Sequence, residues 1–82
     1  MDVIQQKIVL AIANRQTIKS VRELMKITGY KVNAICKHTD ILVSQGIIIK
    51  ERYGDQKKKK MCLTDKGEML ASALEELYRC YQ

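Results

Sequence analysis

The chain has 82 residues, 46% of them hydrophobic, no Pro, Trp or Phe, and a net charge of +6. That length makes one small domain with a marginal core, and the apolar content excludes a disordered chain. No apolar run approaches the roughly 20 residues that span a bilayer, and Met1-Asp2-Val3 lacks the basic region of a secretory signal, so a cytoplasmic protein without membrane contact is expected.

Residues 2–14 read as a helix. Val3, Ile4, Ile8, Val9, Leu10, Ala11, Ile12 and Ala13 lie almost all the way round its wheel. Such a helix is buried on more than one side, and so small a domain is expected to need a partner subunit to cover it. Thr17-Ile18-Lys19 forms a short extended link. Ser20-Val21-Arg22-Glu23 is a capping box, with the Ser hydroxyl on the amide three residues on and Glu23 reaching back. It opens a helix over 20–28 that turns Val21, Leu24 and either Met25 or Thr28 inward. Gly29 supplies a left-handed turn. A second helix spans about 31–45, with Ile35, Thr39 and Leu42 inward, Val43 at the margin, and Gly46 at its end. Two helices joined by a short Gly-containing turn make a helix-turn-helix.

Ile47 to Tyr53 is a strand rich in β-branched residues, Gly54-Asp55-Gln56 begins a turn, and Lys60 to Leu63 returns. Residues 47–63 thus form a hairpin, or wing, with Lys57 to Lys60 at its turn. Thr64 is placed to cap a last helix over about 64–81, and Asp65 suits its positive end. The order is α-β-α-α-β-β-α: a mainly α chain with a small β-hairpin (α+β), one domain over 1–82, with no repeat and no linker.

The charge is unevenly spread. Residues 1–30 carry +3, residues 31–49 +1, residues 50–60 +4 and residues 61–82 −2, which sum to the net +6. A polyanion should meet the middle of the chain, and the acidic end should face away. The competing view is a solvated basic surface.

The stretch from Gly29 to Ile48, with Lys37-His38, Leu42 and Gly46-Ile47-Ile48, resembles the recognition-helix segment of winged helix-turn-helix regulators. Leu63-Thr64-Asp65-Lys66-Gly67 is similar to the Leu-Thr-x-x-Gly that closes the wing in MarR-like and PadR-like repressors. The resemblance covers nearly the whole chain, most firmly residues 20–67. Thr39 departs from the usual apolar residue after His, and Cys36 stands where Ser is common. The minimal size is similar to small winged-helix proteins of archaea and their viruses, which would put the protein in a host cell if viral. The resemblance implies a double-stranded DNA-binding transcriptional regulator.

A recognition helix fits the major groove and reads base edges with its outer face. Opposite Ile35, Thr39 and Leu42 stand Lys31, Asn33, Ala34 and Lys37, with His38 at the margin. Asn pairs two ways with adenine and Lys suits guanine acceptors, so Asn33 and Lys37 are expected to read bases and Lys31 to meet a base or phosphate. His38 is expected to pack or to face a phosphate. Wing residues Arg52, Lys57, Lys58, Lys59 and Lys60 should meet phosphates or the minor groove. Ser20 and Arg22, at a helix N-terminus, suit a backbone phosphate. Tyr53 either packs or bonds a phosphate.

Leu70, Leu74, Leu77 and Tyr81 recur at heptad-like spacing, with Tyr78 beside them. A symmetric dimer joining these to Ile4 and Ile8 would present two recognition helices to half-sites about 34 Å apart; the alternative is a monomer whose last helix wraps its own core. Cys36, Cys62 and Cys80 are expected to be reduced in an ordinary cytosol, with Cys80 placed for an intersubunit disulfide under oxidising conditions. No Cys-x-x-Cys accompanies Cys36-x-His38, so no metal site is expected. No nucleophile and base stand at catalytic spacing and no Gly-rich phosphate loop is present, so neither an enzyme nor a cofactor is expected. No pocket signature points to a small-molecule effector. The remaining alternatives to a sequence-specific regulator are a winged-helix protein-interaction module and a non-specific architectural DNA binder.

Overall fold

The computed structural model describes residues 2–53 and 58–80, with side chains at all of these except 52, 53, 58 and 59. Four helices and a two-stranded antiparallel hairpin follow in the order α1 (Val3–Arg15), α2 (Val21–Thr28), α3 (Val32–Ser44), β1 (Ile48–Tyr53), β2 (Lys58–Leu63) and α4 (Asp65–Cys80). The winged-helix order predicted from the sequence is present. The link at Ile18 is a single bridge and not a strand: Ile18 N–H donates to Met61 O at 3.0 Å, and Met61 N–H returns to Ile18 O at 2.7 Å.

Much of the nearly all-round apolar surface of α1 is covered by its own chain, while Val3 stays exposed and Ile4, Leu10 and Ala13 are only partly buried. α1 packs against α2, α3, β2 and α4 together. Ile8, Val9 and Ile12 are fully buried and meet Leu24, Ile35, Leu42, Ile48, Met61, Ala71 and Leu74 in one core. Each fully buried aliphatic side chain favours the folded state by about 1.5–3 kcal/mol over leaving it in water, and α1 supplies Ile8, Val9 and Ile12 to that gain.

Local chemistry sets the helix boundaries. Ser20 Oγ accepts from Glu23 N–H at 3.2 Å, as the capping box requires. The Glu23 carboxylate reaches back one residue further than expected, to Lys19 N–H at 3.1 Å, and Arg15 joins it at 3.4 Å. Gly29 closes α2 with φ +78° and donates to Met25 O at 2.8 Å. In α3 the inward row is Ile35, His38, Thr39 and Leu42. Thr39 is buried without penalty because its hydroxyl donates to Cys36 O at 3.1 Å. Val43, the marginal candidate, is exposed.

The hairpin pairs Ile48 with Leu63 through Tyr53 with Lys58, so β2 starts two residues earlier than the sequence suggested. Thr64 fastens its base. Its hydroxyl donates to the carbonyls of Gly46 (2.5 Å) and Ile47 (3.1 Å) and accepts from Gly67 N–H at 3.0 Å. Gly67 sits so close to the Ile47 carbonyl that a Cβ there would collide with it. Lys66 adds a bond from Nζ to Gln45 O at 3.0 Å, on the last carbonyls of α3. The start of α4 is therefore clamped onto the turn between α3 and β1.

Candidate nucleic-acid interface

Burial of Ile35, His38, Thr39 and Leu42 leaves the other side of α3 facing out. Asn33, Lys37, Asp40 and Ser44 follow there at spacings of four, three and four, and all are exposed. Lys31, at the N-cap, is exposed beside them. Three of the four α3 residues proposed from sequence, Lys31, Asn33 and Lys37, thus share an accessible face.

His38 does not join them. It is only 9% exposed, turned onto α1, with Nδ1 3.1 Å from Gln5 Nε2 and Nε2 4.0 Å from the Asp2 carboxylate. The amide donates and the imidazole nitrogen accepts. Helical spacing shows His38 only as a polar residue on α3; its partner lies in another helix, so no local pattern could reveal the pairing.

At the head of α2, Ser20 and Arg22 are both exposed. Ser20 Oγ already serves the helix cap, which leaves its hydroxyl hydrogen free to donate outward. The neighbouring Glu23 carboxylate is partly neutralised by Arg15.

The wing places Arg52 opposite Lys59, Tyr53 opposite Lys58 and Glu51 opposite Lys60. The side chains of Arg52, Lys58 and Lys59, and all of Lys57, lie outside the described residues. Lys60, the described member of the lysine run, is half-buried and has Glu51 3.6 Å from its ammonium, so part of its charge is answered within the sheet.

The sequence reading missed Lys50. It reaches from β1 to Asp40 on the outer face of α3 at 3.1 Å. An exposed pair of this kind adds at most about 1 kcal/mol of stability. Its larger effect is to tie the root of the wing to the helix and to cancel the one carboxylate in the outward row. Strand alternation around the buried Ile48 was the available signal that Lys50 shares a face with it.

Among the described residues no group of three or more His, Cys, Asp or Glu side chains converges on a possible metal position, and no helix is long and apolar enough to cross a membrane. Cys36 and Cys62 are half-buried free thiols, Cys62 beside the Thr17 hydroxyl at 3.7 Å, and Cys80 is exposed at the end of α4. An open cleft of about 480 Å³ runs between α1, β2 and α4, lined by Ile12, Ala13, Cys62, Glu68, Ala71 and Glu75 among others.

Of the residues assigned to a dimer, Ile8 and Leu74 are spent inside the protomer and are not available to a partner. Ile4 and Leu70 are partly buried against the core. Leu77 (49% exposed) and Tyr78 (36%) remain accessible, as does Val3 (55%); Tyr81 lies outside the described residues. Tyr78 Oη donates to Gln6 Oε1 at 2.9 Å, whereas Ala71 shares a cleft with Ile12 and Ala13, so α4 runs antiparallel to α1. The exposed apolar residues Val3, Leu77 and Tyr78 consequently gather at one end of the helix pair.

No protein-family model matches the chain, and no curated protein does at the significance required. Solved structures do. The reduced form of MarR from E. coli superposes with a TM-score of 0.87 at 23% identity, over 95% of this chain and 57% of that one. A cysteine-to-serine mutant of the same MarR complexed with operator DNA gives 0.82 at 23% identity, over 94% and 55%. The archaeal-virus protein SSV1 F-93 gives 0.79 at 14% identity, over 99% of this chain and 91% of that one. The chain therefore spans little more than half the length of the MarR chains and nearly all of the viral one. At these identities the likeness is one of fold: a winged helix of the kind found in MarR-family structures.

Proposed function

We propose that the protein is a sequence-specific double-stranded DNA-binding transcriptional regulator that acts as a homodimer. The observation that carries this reading is the accessible row on α3. Asn33 and Lys37, with Lys31 at the helix start, stand opposite the buried side of the helix and are joined by the Lys50–Asp40 pair to a wing bearing the lysine run. Asn33 and Lys37 read bases in the major groove. Lys31, Ser20 and Arg22 hold phosphates around the helix-turn-helix, and Arg52 with Lys57 to Lys60 do so from the wing. His38 is withdrawn from this set, because its ring bonds to Gln5.

The fold supports the reading, since one MarR structure of the same architecture is a complex with operator DNA. Nucleophile, base and cofactor loop have no place in it, and the protein is proposed to have no enzymatic activity. The homodimer forms through the end of the helix pair bearing Val3, Leu77 and Tyr78, with Ile4 at its edge. Such a dimer would span half-sites about one DNA turn apart.

Selection of bound sites from a random duplex library tests the proposal. The expected product is a two-fold-related motif with half-sites about 10 base pairs apart. A steep salt slope with no motif would make it an architectural binder, and no retention of any duplex at low salt would make it a protein-interaction module.

A further inference from the structure

Val32 opens α3 and remains 45% exposed, between the exposed Lys31 and Asn33. Stability gives no reason for a valine there. A β-branched side chain at an exposed helix position loses rotamer freedom and is a poorer helix former than alanine or lysine. Cys36, one turn on along the same flank and half-buried, extends the apolar strip that Val32 begins. The strip lies directly beside the polar row of Asn33 and Lys37. Lys31 and Lys37 border it with positive charge, on a chain of net +6, which suits a polyanion rather than an apolar partner.

The first residues of a recognition helix are those that reach base edges. In the major groove the apolar feature a base edge offers is the C5-methyl of thymine. We propose that Val32 is a specificity-determining residue that packs on the C5-methyl of a thymine next to the bases met by Asn33 and Lys37. This rests on the DNA-binding reading above and adds to it a base preference that no hydrogen-bonding residue supplies. The contact is apolar, so it contributes to discrimination and not to the salt dependence of binding.

The test replaces each thymine of a selected site in turn with uracil, which removes the methyl and leaves the hydrogen-bonding edge intact. Binding is measured by fluorescence anisotropy at fixed salt for the whole chain, Val32→Ala and Val32→Thr. One thymine per half-site is expected to matter, with uracil there weakening the unsubstituted protein about fourfold, the value of one buried methyl-sized group. Val32→Ala should bind the thymine and uracil duplexes alike at that position, with unchanged helical circular dichroism and an unchanged salt slope, and Val32→Thr should keep part of the preference. The proposal is overturned if no thymine is sensitive, or if Val32→Ala keeps the full discrimination. Failure of the parent reading looks different and shows before any uracil is introduced: the site selection would then return no motif, or the unsubstituted protein would retain no duplex even at low salt.

Discussion

Gln5 in α1 and His38 in α3 form a buried polar pair, amide nitrogen to imidazole Nδ1 at 3.1 Å, in the seam between the central helix and the helix proposed to read DNA. Removing one partner strands the other away from water. Gln5→Leu should cost about 1–3 kcal/mol in urea unfolding. The double variant Gln5→Leu with His38→Leu should recover much of that loss, because no unpaired group is left. Additive losses would mean that the two side chains do not depend on each other.

The two glycines at Gly29 and Gly67 should respond differently to alanine. At Gly29 a Cβ meets nothing within 4 Å, and only the positive φ resists it, so Gly29→Ala should lose about 1 kcal/mol. At Gly67 the Cβ would strike the Ile47 carbonyl, and backbone must move. Gly67→Ala should lose about 3 kcal/mol or fail to fold. Thermal midpoints compared side by side decide this, and equal shifts would contradict the close approach of α4 to the α3–β1 turn.

The helix and the wing should fail in different ways as DNA-binding elements. Lys37→Ala or Asn33→Ala should cost about 1–3 kcal/mol at one base position and relax the preference there. Replacing Lys57, Lys58 and Lys59 with Gln should weaken all sequences evenly. It should also reduce the slope of log affinity against log salt by about 0.9 for each phosphate that is no longer neutralised. Lys60→Gln should change the slope least, since Glu51 already lies 3.6 Å from its ammonium. Salt titrations on specific and random duplexes measure both effects.

Self-association should depend on the exposed end of the helix pair. Leu77→Asp places a charge on a half-exposed apolar position without touching the core. It should turn a dimer into a monomer in sedimentation velocity while leaving the circular dichroism unchanged. Leu74→Asp should instead unfold the protein, because Leu74 is buried in the protomer. On non-reducing gels Cys80→Ser should abolish any covalent dimer, since Cys80 is the exposed cysteine among the three.

Most of the architecture was legible in local chemistry. Ser20 and Glu23 announced the start of α2, Gly29 its end, and Thr64 the start of α4, because each acts on backbone groups within a few residues. The outward side of α3 followed from the spacing of Ile35, Thr39 and Leu42. What the sequence hid was the meeting of distant segments. His38 belongs indoors because of Gln5, Ile8 and Leu74 are satisfied by each other's helices, and Lys50 finds Asp40 across an element boundary. The wheel of α1 does not show that four neighbouring elements surround it, covering Ile8, Val9 and Ile12 and leaving Val3 exposed.

The double backbone bond between Ile18 and Met61 has a mechanical result. It fastens together the two ends of a long stretch of chain that contains α2, α3 and most of the wing. A protease cutting once inside that stretch would therefore leave two fragments still clasped to each other at this rung. The folded body should survive such a nick, and the pieces should part only when denaturant opens the clasp.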